Sequence, residues 1–200
     1  MPEAVARDFR AQFPPPGGGG SGSGGGGGRN ATAAGPRGGV PWAIHVRRGD
    51  YVAKAEWHHL LPLTYFAEGI FRMLAHLEAA GAGGGPVFVF SDDVAWVREQ
   101  DVFRELAGAV FVEERDPLRA FYMLALAAEG GVLCSNSTYC WWAAFLSELR
   151  RRTRPARLAI FPDRWTHAHS LTGRQGPDDC GAALFLPHMT ILDGFRRRRG

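Results

Sequence analysis

The stretch Ala43-Ile44-His45-Val46-Arg47-Arg48-Gly49-Asp50-Tyr51 is an apolar run that ends abruptly in two arginines, a glycine and an aspartate. Such a run predicts a buried β-strand that delivers charged side chains to the edge of a sheet. Because side chains alternate between the two faces of a strand, His45 and Arg47 are expected on one face and Arg48 on the other. Arg47 is then placed to grip a diphosphate bidentately, while Arg48 pairs with Asp50. The alternative interpretation is a strand that ends in a solvated charge cluster.

Short apolar runs alternate with amphipathic stretches from Val40 onward. The runs are continuous, which is typical of strands buried on both faces of a parallel sheet. The alternation predicts a doubly wound, Rossmann-like α/β domain with helices on both faces of the sheet. Strands are predicted at residues 42–46, 87–90, 109–112, 132–133 and 158–161. Helices are predicted at residues 3–13, 64–78, 117–128 and 137–152.

Polar clusters follow the first, second and fourth predicted strands. Ligands of doubly wound sheets bind beyond the carboxyl ends of the strands, so these clusters are expected to converge on one cleft. The turn Ser135-Asn136-Ser137-Thr138 opens a helix, whose free N–H groups attract an anion, although these residue types also favour plain capping. Asp92 and Asp93 are candidates for contact with a nucleoside, and capping of a helix is the alternative. A divalent metal at these two carboxylates is the weaker reading.

Three motifs in this order, HVRRGDY, FSDDxxWV and NSTYCWWAAFL, resemble those of the α-1,2-fucosyltransferases of glycosyltransferase family 11. The similarity is strongest over residues 45–60, 87–98 and 116–146, and weaker from 4 to 165. The resemblance implies the donor-binding C-terminal lobe of a GT-B-type enzyme. It also implies inverting transfer of L-fucose from GDP-β-L-fucose to a hydroxyl of a galactose-containing glycan.

The same resemblance assigns roles to individual residues. Arg47 and the helix start at Ser137 are expected to stabilise negative charge on the departing β-phosphate. The general base is left open between His45, Asp50 and Glu56. No metal cofactor and no nucleic-acid partner are expected. The residues expected to bind the donor are Arg47, Arg48, Asp92, Asp93, Asn136, Ser137 and Thr138.

The chain divides into four predicted segments. A short helix spans 1–13, a Gly- and Pro-rich flexible linker 14–39, the donor-binding lobe 40–195 and a basic tail 196–200. With 46% hydrophobic and 22% charged residues and a net charge of +3, the chain has the composition of a globular domain. The family's glycine-rich GGLGNQ-type opening has no counterpart, so a fragment lacking the N-terminal lobe is expected. The alternatives are a non-catalytic GDP-sugar-binding remnant and an enzyme like the α-1,6- or protein O-fucosyltransferases.

The compartment is left open by the sequence. No apolar stretch approaches the roughly 20 residues that span a bilayer, so attachment to a membrane is expected only through an anchor missing from this chain. The resemblance implies the Golgi membrane for a eukaryotic protein and the cytoplasm otherwise.

Cysteine and tryptophan positions lead to two expectations about packing. Cys134, Cys140 and Cys180 lack metal-site spacing and an obvious disulfide framework, and the first two are expected to be small core residues. In the helix predicted at 137–152, Trp142 falls on the apolar stripe and is expected in the core, whereas the place of Trp141 is less certain.

Overall fold

The computed structural model of the chain describes residues 3–12, 39–150, 157–163, 165 and 189–192. Most of the predicted linker and the whole basic tail lie outside these residues. The described strands are β1 (Trp42–Val46), β2 (Val87–Ser91), β3 (Ala109–Val112), β4 (Gly131–Cys134), β5 (Leu158–Pro162) and β6 (Met189–Leu192). The described helices are α1 (Glu3–Gln12), α2 (Gly49–Ala53), α3 (Leu63–Ala79), α4 (Val94–Glu99), α5 (Asp101–Arg104), α6 (Pro117–Ala127) and α7 (Thr138–Leu149).

The six described strands form one sheet, in the order β3-β2-β1-β4-β5-β6. Every pair of neighbouring strands is parallel, from β3 at one edge to β6 at the other. The Rossmann-like α/β fold predicted from the sequence is therefore confirmed. The strand β6 was not predicted, because Thr190 interrupts its apolar run.

Each face of the sheet carries its own hydrophobic core, since successive side chains of a strand point to opposite faces. On one face, Ala43 and Phe88 pack beneath α1, α6 and α7. On the other face, Ile44, Val89 and Leu133 pack beneath α3, α4 and α5. Helices therefore cover both faces, and the sheet edge at the strand ends is the part left for a ligand.

The helix α1 is held against the sheet although a long Gly-rich segment separates it from β1 in sequence. The Phe9 ring lies 5.2 Å from the ring of Phe88. At the surface, the Asp8 carboxylate is 3.3 Å from the guanidinium of Arg119 on α6. This helix therefore belongs to the same packed unit as the sheet.

The buried face of α7 differs from the prediction. Trp142 is 53% exposed, and the residues that face the core are Cys140, Ala143, Ala144 and Ser147. Small side chains let α7 approach α6 closely, and the Ser147 hydroxyl donates a hydrogen bond to Ala128 O. The expectation that Trp142 lies in the core was wrong, because close helix packing selected small residues over large apolar ones.

The two cysteines expected to be separate core residues are joined by a disulfide. Cys134 ends β4 and Cys140 lies in the first turn of α7, and their Cα atoms are 5.8 Å apart. Both residues are fully buried. The sequence spacing did not reveal the pairing, because it depends on the sharp return of the chain between the strand and the helix.

None of the described helices is long and apolar enough to cross a lipid bilayer.

Candidate functional site

The candidate site lies where the chain leaves the sheet in opposite directions. Strands β1 and β4 are neighbours at its centre, and the connections from them run outward to opposite edges. Such a switch point opens a crevice at the carboxyl ends of the strands. Three segments meet there, residues 45–51 after β1, 91–93 after β2 and 135–138 after β4. They are called the strand-end site below.

The hydroxyl of Ser135 lies at the centre of this site. It accepts a hydrogen bond from the backbone N–H of Arg47 at 2.9 Å and lies 3.1 Å from His45 Nδ1. The Ser135 backbone N–H donates to His45 O at 3.0 Å, and the Ser137 N–H donates to Ser135 O at 2.8 Å. Ser135 thus joins β1 to the turn that opens α7. The sequence placed it in this turn but carried no signal of its bridging contacts.

Two carboxylates bind the guanidinium of Arg47. Its nitrogens lie 2.7 Å from Asp50 Oδ1 and 3.0 Å from Asp92 Oδ2. The predicted pairing of Asp50 with Arg48 was wrong, because helix α2 begins at Gly49 and places Asp50 one turn after Arg47. Segments after β1 and β2 are therefore locked together through Arg47.

Arg48 has different partners. Its Nε lies 3.3 Å from Asp93 Oδ2, and its guanidinium sits 3.9 Å from the centre of the Trp96 ring on α4. Its backbone N–H donates to Asp92 Oδ1 at 2.8 Å. A planar cation stacked on an aromatic face and paired with a carboxylate stabilises the loop against α4.

Asp92 and Asp93 divide two tasks between them. Asp93 caps α4, since its carboxylate accepts from the Trp96 N–H at 3.2 Å. Asp92 lies beside Gly49, where a Cβ atom would come within 2.8 Å of Asp92 Oδ2. The absence of a side chain at Gly49 is therefore what allows Asp92 to approach β1 and bind both arginines.

The side chain of Asn136 turns into the protein. It is 1% exposed, and its amide donates to His59 O at 3.0 Å and to Trp165 O at 2.9 Å. The Asn136 carbonyl in turn accepts from the Tyr51 hydroxyl at 2.9 Å. The Asn136 amide therefore holds the backbone at His59 and at Trp165 close to the strand-end site.

The loop whose His59 carbonyl Asn136 binds also carries His58. The Tyr51 ring stacks on the ring of His58 at 4.1 Å and 6° between planes. Arg47 lies 5.6 Å from the centre of the same Tyr51 ring. The loop around His58 is thus coupled through Tyr51 to the arginine at the strand end.

Helix α7 begins with its N-terminal N–H groups directed toward the site. Ser137 is the N-cap residue, but its side chain makes no capping hydrogen bond. Ser137 is 6% exposed and Thr138, the next residue, is exposed. The N-terminus of a helix attracts anions, and the phosphate site predicted at this turn stays a prediction.

The chemistry of His45 is set by its burial. Desolvation lowers its pKa from 6.5 to about 4, Asp92 opposes the shift and Arg47 adds to it. The ring stacks on Tyr139 at 5.5 Å. His45 is therefore neutral near pH 7 and a weak proton acceptor. Among the three base candidates, Asp50 and Glu56 are exposed and His45 is not.

Within the described ranges, no group of three His, Cys, Asp or Glu side chains is arranged to hold a metal ion. The positive charge near the site is supplied by Arg47 and Arg48. The expected independence from metal stays a prediction.

Comparisons with known proteins place these motifs in one family. The family described as Glycosyl transferase family 11 matches residues 29–154, more than half of the chain. The O-antigen biosynthesis glycosyltransferase WbnK of Escherichia coli is 28% identical over 127 residues, which cover 62% of this chain and 38% of WbnK. An alpha-1,2-colitosyltransferase of Escherichia coli is 27% identical over 134 residues, covering 64% of this chain and 42% of that protein. The chain thus spans about two fifths of the length of these relatives. No solved structure matches it.

Proposed function

This chain belongs to glycosyl transferase family 11, and we propose on that premise that it binds GDP-β-L-fucose and transfers the sugar to a galactoside hydroxyl. The product would carry an α-1,2 linkage, formed with inversion at the anomeric carbon. One observation carries the proposal: Arg47, Asp92 and the Ser135 turn come together at the switch point of the sheet. An arginine beside a helix N-terminus is a combination suited to the diphosphate of a nucleotide sugar.

The proposed reaction requires the site to stabilise negative charge on the departing phosphate. The bond from the anomeric carbon to the β-phosphate oxygen breaks, and its electron pair stays on the phosphate. The acceptor oxygen bonds to the same carbon from the opposite face and gives its proton to a general base, for which Asp50 and Glu56 are the exposed candidates. Arg47 and the N–H groups at the start of α7 would stabilise the charge that develops on the phosphate. In this proposal no metal ion is needed for that task.

Preference for guanine is part of the proposal. Guanine offers two N–H donors on one edge, which a single carboxylate accepts together. Asp92 pairs with Arg47 and Asp93 with Arg48, and their side chains are 26% and 34% exposed. One of them is proposed to contact the nucleoside.

A second candidate is a domain that binds a GDP-sugar without transferring it. The observation in its favour is the state of the groups beside Arg47. His45 is buried and neutral, and Asp50 and Asp92 are both ion-paired with Arg47. None of these three groups is both exposed and free of an ion pair, as a ready general base would be.

A transfer assay separates the two candidates. The purified chain would be incubated with GDP-fucose and a lactoside acceptor, with GDP-colitose and UDP-galactose as alternative donors and Arg47→Ala as the control variant. A fucosylated product whose linkage is α-1,2 by NMR supports the transferase. Binding of GDP-fucose without any product supports the second candidate. Failure to bind the GDP-sugars contradicts both.

A further inference from the structure

We infer that Asp50 is a displaceable internal ligand of Arg47, whose place on the guanidinium is taken by the diphosphate of the donor. The inference rests on the proposed function, because it concerns how that donor enters the site and how GDP leaves it. Asp92 is assigned the opposite role, as the fixed carboxylate that keeps Arg47 aimed at the ligand.

The starting point is that the Arg47 guanidinium is already occupied. Asp50 binds the terminal nitrogen Nη2 at 2.7 Å, and Asp92 binds the other terminal nitrogen, Nη1, at 3.0 Å. A bidentate contact with phosphate oxygens needs two N–H groups on one side of the fork. A diphosphate that takes Nη1 and Nη2 together therefore competes with both carboxylates, and one of them is expected to give way.

The surroundings of the two carboxylates decide which one withdraws. Asp92 is held twice, since Oδ2 binds Arg47 and Oδ1 accepts the Arg48 N–H at 2.8 Å. It is also confined beside Gly49, and its side chain is 26% exposed. Withdrawal of Asp92 would break both of these contacts and leave the Arg48 N–H without its partner.

Asp50 is held far less firmly. Its carboxylate has Arg47 as its partner among the described residues, and its side chain is 46% exposed. Asp50 stands in the first turn of the five-residue helix α2, where rotation of its side chain into solvent disturbs no other described contact. Exposed ion pairs of this kind are weak, whereas charge-assisted bidentate contacts with phosphate are strong. Exchange of Asp50 for a diphosphate is therefore favourable.

The exchange has a consequence for turnover. After the sugar has been transferred, GDP remains on Arg47, and Asp50 competes with it for the guanidinium. Re-formation of the Asp50 pair would help to expel GDP. Asp50 would thus lower the affinity of the site for GDP, while Asp92 keeps the Arg47 side chain in position.

The test compares GDP binding to variants that remove one carboxylate each. Titration calorimetry of the whole chain at low ionic strength would measure the Kd for Asp50→Asn, Asp50→Glu and Asp92→Asn. We expect Asp50→Asn to bind GDP about fivefold more tightly than the wild type, as an exposed ion pair is lost as a competitor. Asp50→Glu should bind like the wild type, and Asp92→Asn should bind more weakly.

A matched control removes the same charge elsewhere. Asp101→Asn breaks the exposed pair with Arg104 on α5 and should leave GDP affinity unchanged. Unchanged or weaker binding by Asp50→Asn overturns the inference, and so does equal tightening by Asp50→Asn and Asp101→Asn, which would show general charge repulsion. If Asp92→Asn fails to fold, the comparison of Asp50→Asn with Asp101→Asn still decides.

The result also separates this inference from the proposed function. Tight binding of GDP by the wild type with no gain in Asp50→Asn rejects the exchange and keeps the donor. No binding of GDP by the wild type rejects the proposed donor. In that case titration with inorganic pyrophosphate tests the exchange alone: tighter binding by Asp50→Asn supports it, and equal binding overturns it.

Discussion

The hydroxyl of Ser135 accepts the backbone N–H of Arg47 at 2.9 Å, so that the ends of β1 and β4 are joined by a side chain at the point where the ligand crevice opens. The contact fixes the position of the Arg47 backbone and so the starting point of its side chain. It also explains why a serine with no evident task in the sequence lies fully buried at the strand end.

Replacement of Ser135 by alanine should therefore destabilise the protein and misplace Arg47. The change leaves the partly buried Arg47 N–H and the buried His45 Nδ1 without their partner, which typically costs about 1–3 kcal/mol. Chemical denaturation and GDP titration would be measured together. Ser147→Ala, which removes a hydrogen bond to Ala128 O away from the site, is the control and should lower stability without lowering GDP affinity. Unchanged GDP affinity in Ser135→Ala would contradict the positioning role.

His45 should make stability depend on pH in the acidic range. Its pKa is lowered by burial from 6.5 to about 4, so the unfolded state binds a proton that the folded state does not. The contribution is fully present above pH 6.5 and is lost as pH falls toward 4, at about 1.4 kcal/mol per pH unit and roughly 3 kcal/mol in all. The free energy of unfolding of the wild type and of His45→Gln would be measured from pH 4.5 to 8. If the free energy of unfolding depends on pH no more steeply in the wild type than in His45→Gln, His45 is not the source of the pH dependence.

The two arginines of the motif should respond differently to replacement by lysine. Arg47→Lys keeps a positive charge but loses the planar fork, and loss of one preorganised donor typically costs about 3–4 kcal/mol, or roughly 10²–10³ in turnover. Arg48→Lys loses the stacking on Trp96 and should mainly lower stability, by about 0.5–2 kcal/mol. Sugar transfer and Tm would be measured on both variants. Near-normal turnover in Arg47→Lys with lost turnover but normal Tm in Arg48→Lys would reverse these roles.

The disulfide should stabilise the turn that carries Ser135 and Ser137. Closing a loop of this size removes entropy worth about 2 kcal/mol from the unfolded chain. Cys140→Ser should therefore lower the Tm. Wild-type protein that has been unfolded, reduced and refolded in the presence of a reducing agent should show the same Tm as the variant. The variant itself serves as the control, because reductant should not change its Tm. A Tm of the wild type that equals that of Cys140→Ser under oxidising conditions would show that the bond is not formed.

Much of the fold could be predicted from continuous apolar runs. The bounds of β1 and β3 agree with the prediction, and those of β2, β4 and β5 differ by one or two residues. Parallel strands buried on both faces leave this signature because both sets of side chains must be apolar. The buried face of α7 could not be read in the same way, since its fully buried side is made of small residues while Trp142 and Leu149 are exposed.

The location of the site could be predicted from the sequence, but the partners of its polar and charged side chains could not. The motifs follow strand ends, and the strand ends of a parallel sheet meet at one edge, so convergence of Arg47 and Asp92 followed from the topology. The partner of Asp50 depended on the short helix α2, which begins at Gly49 without a side-chain cap and so gives no sequence signal. The bridging role of Ser135 depended on the register between β1 and β4, which a single sequence does not reveal.

The central claim, that the strand-end site is built for a guanosine diphosphate sugar, is tested most directly by nucleotide selectivity. Calorimetry without added metal would compare GDP, UDP and ADP on the same preparation of the chain. We expect GDP to bind most tightly, because one carboxylate of Asp92 or Asp93 accepts two donors that only guanine presents. Equal affinity for the three nucleotides, or binding of GDP only when manganese is added, would contradict the account.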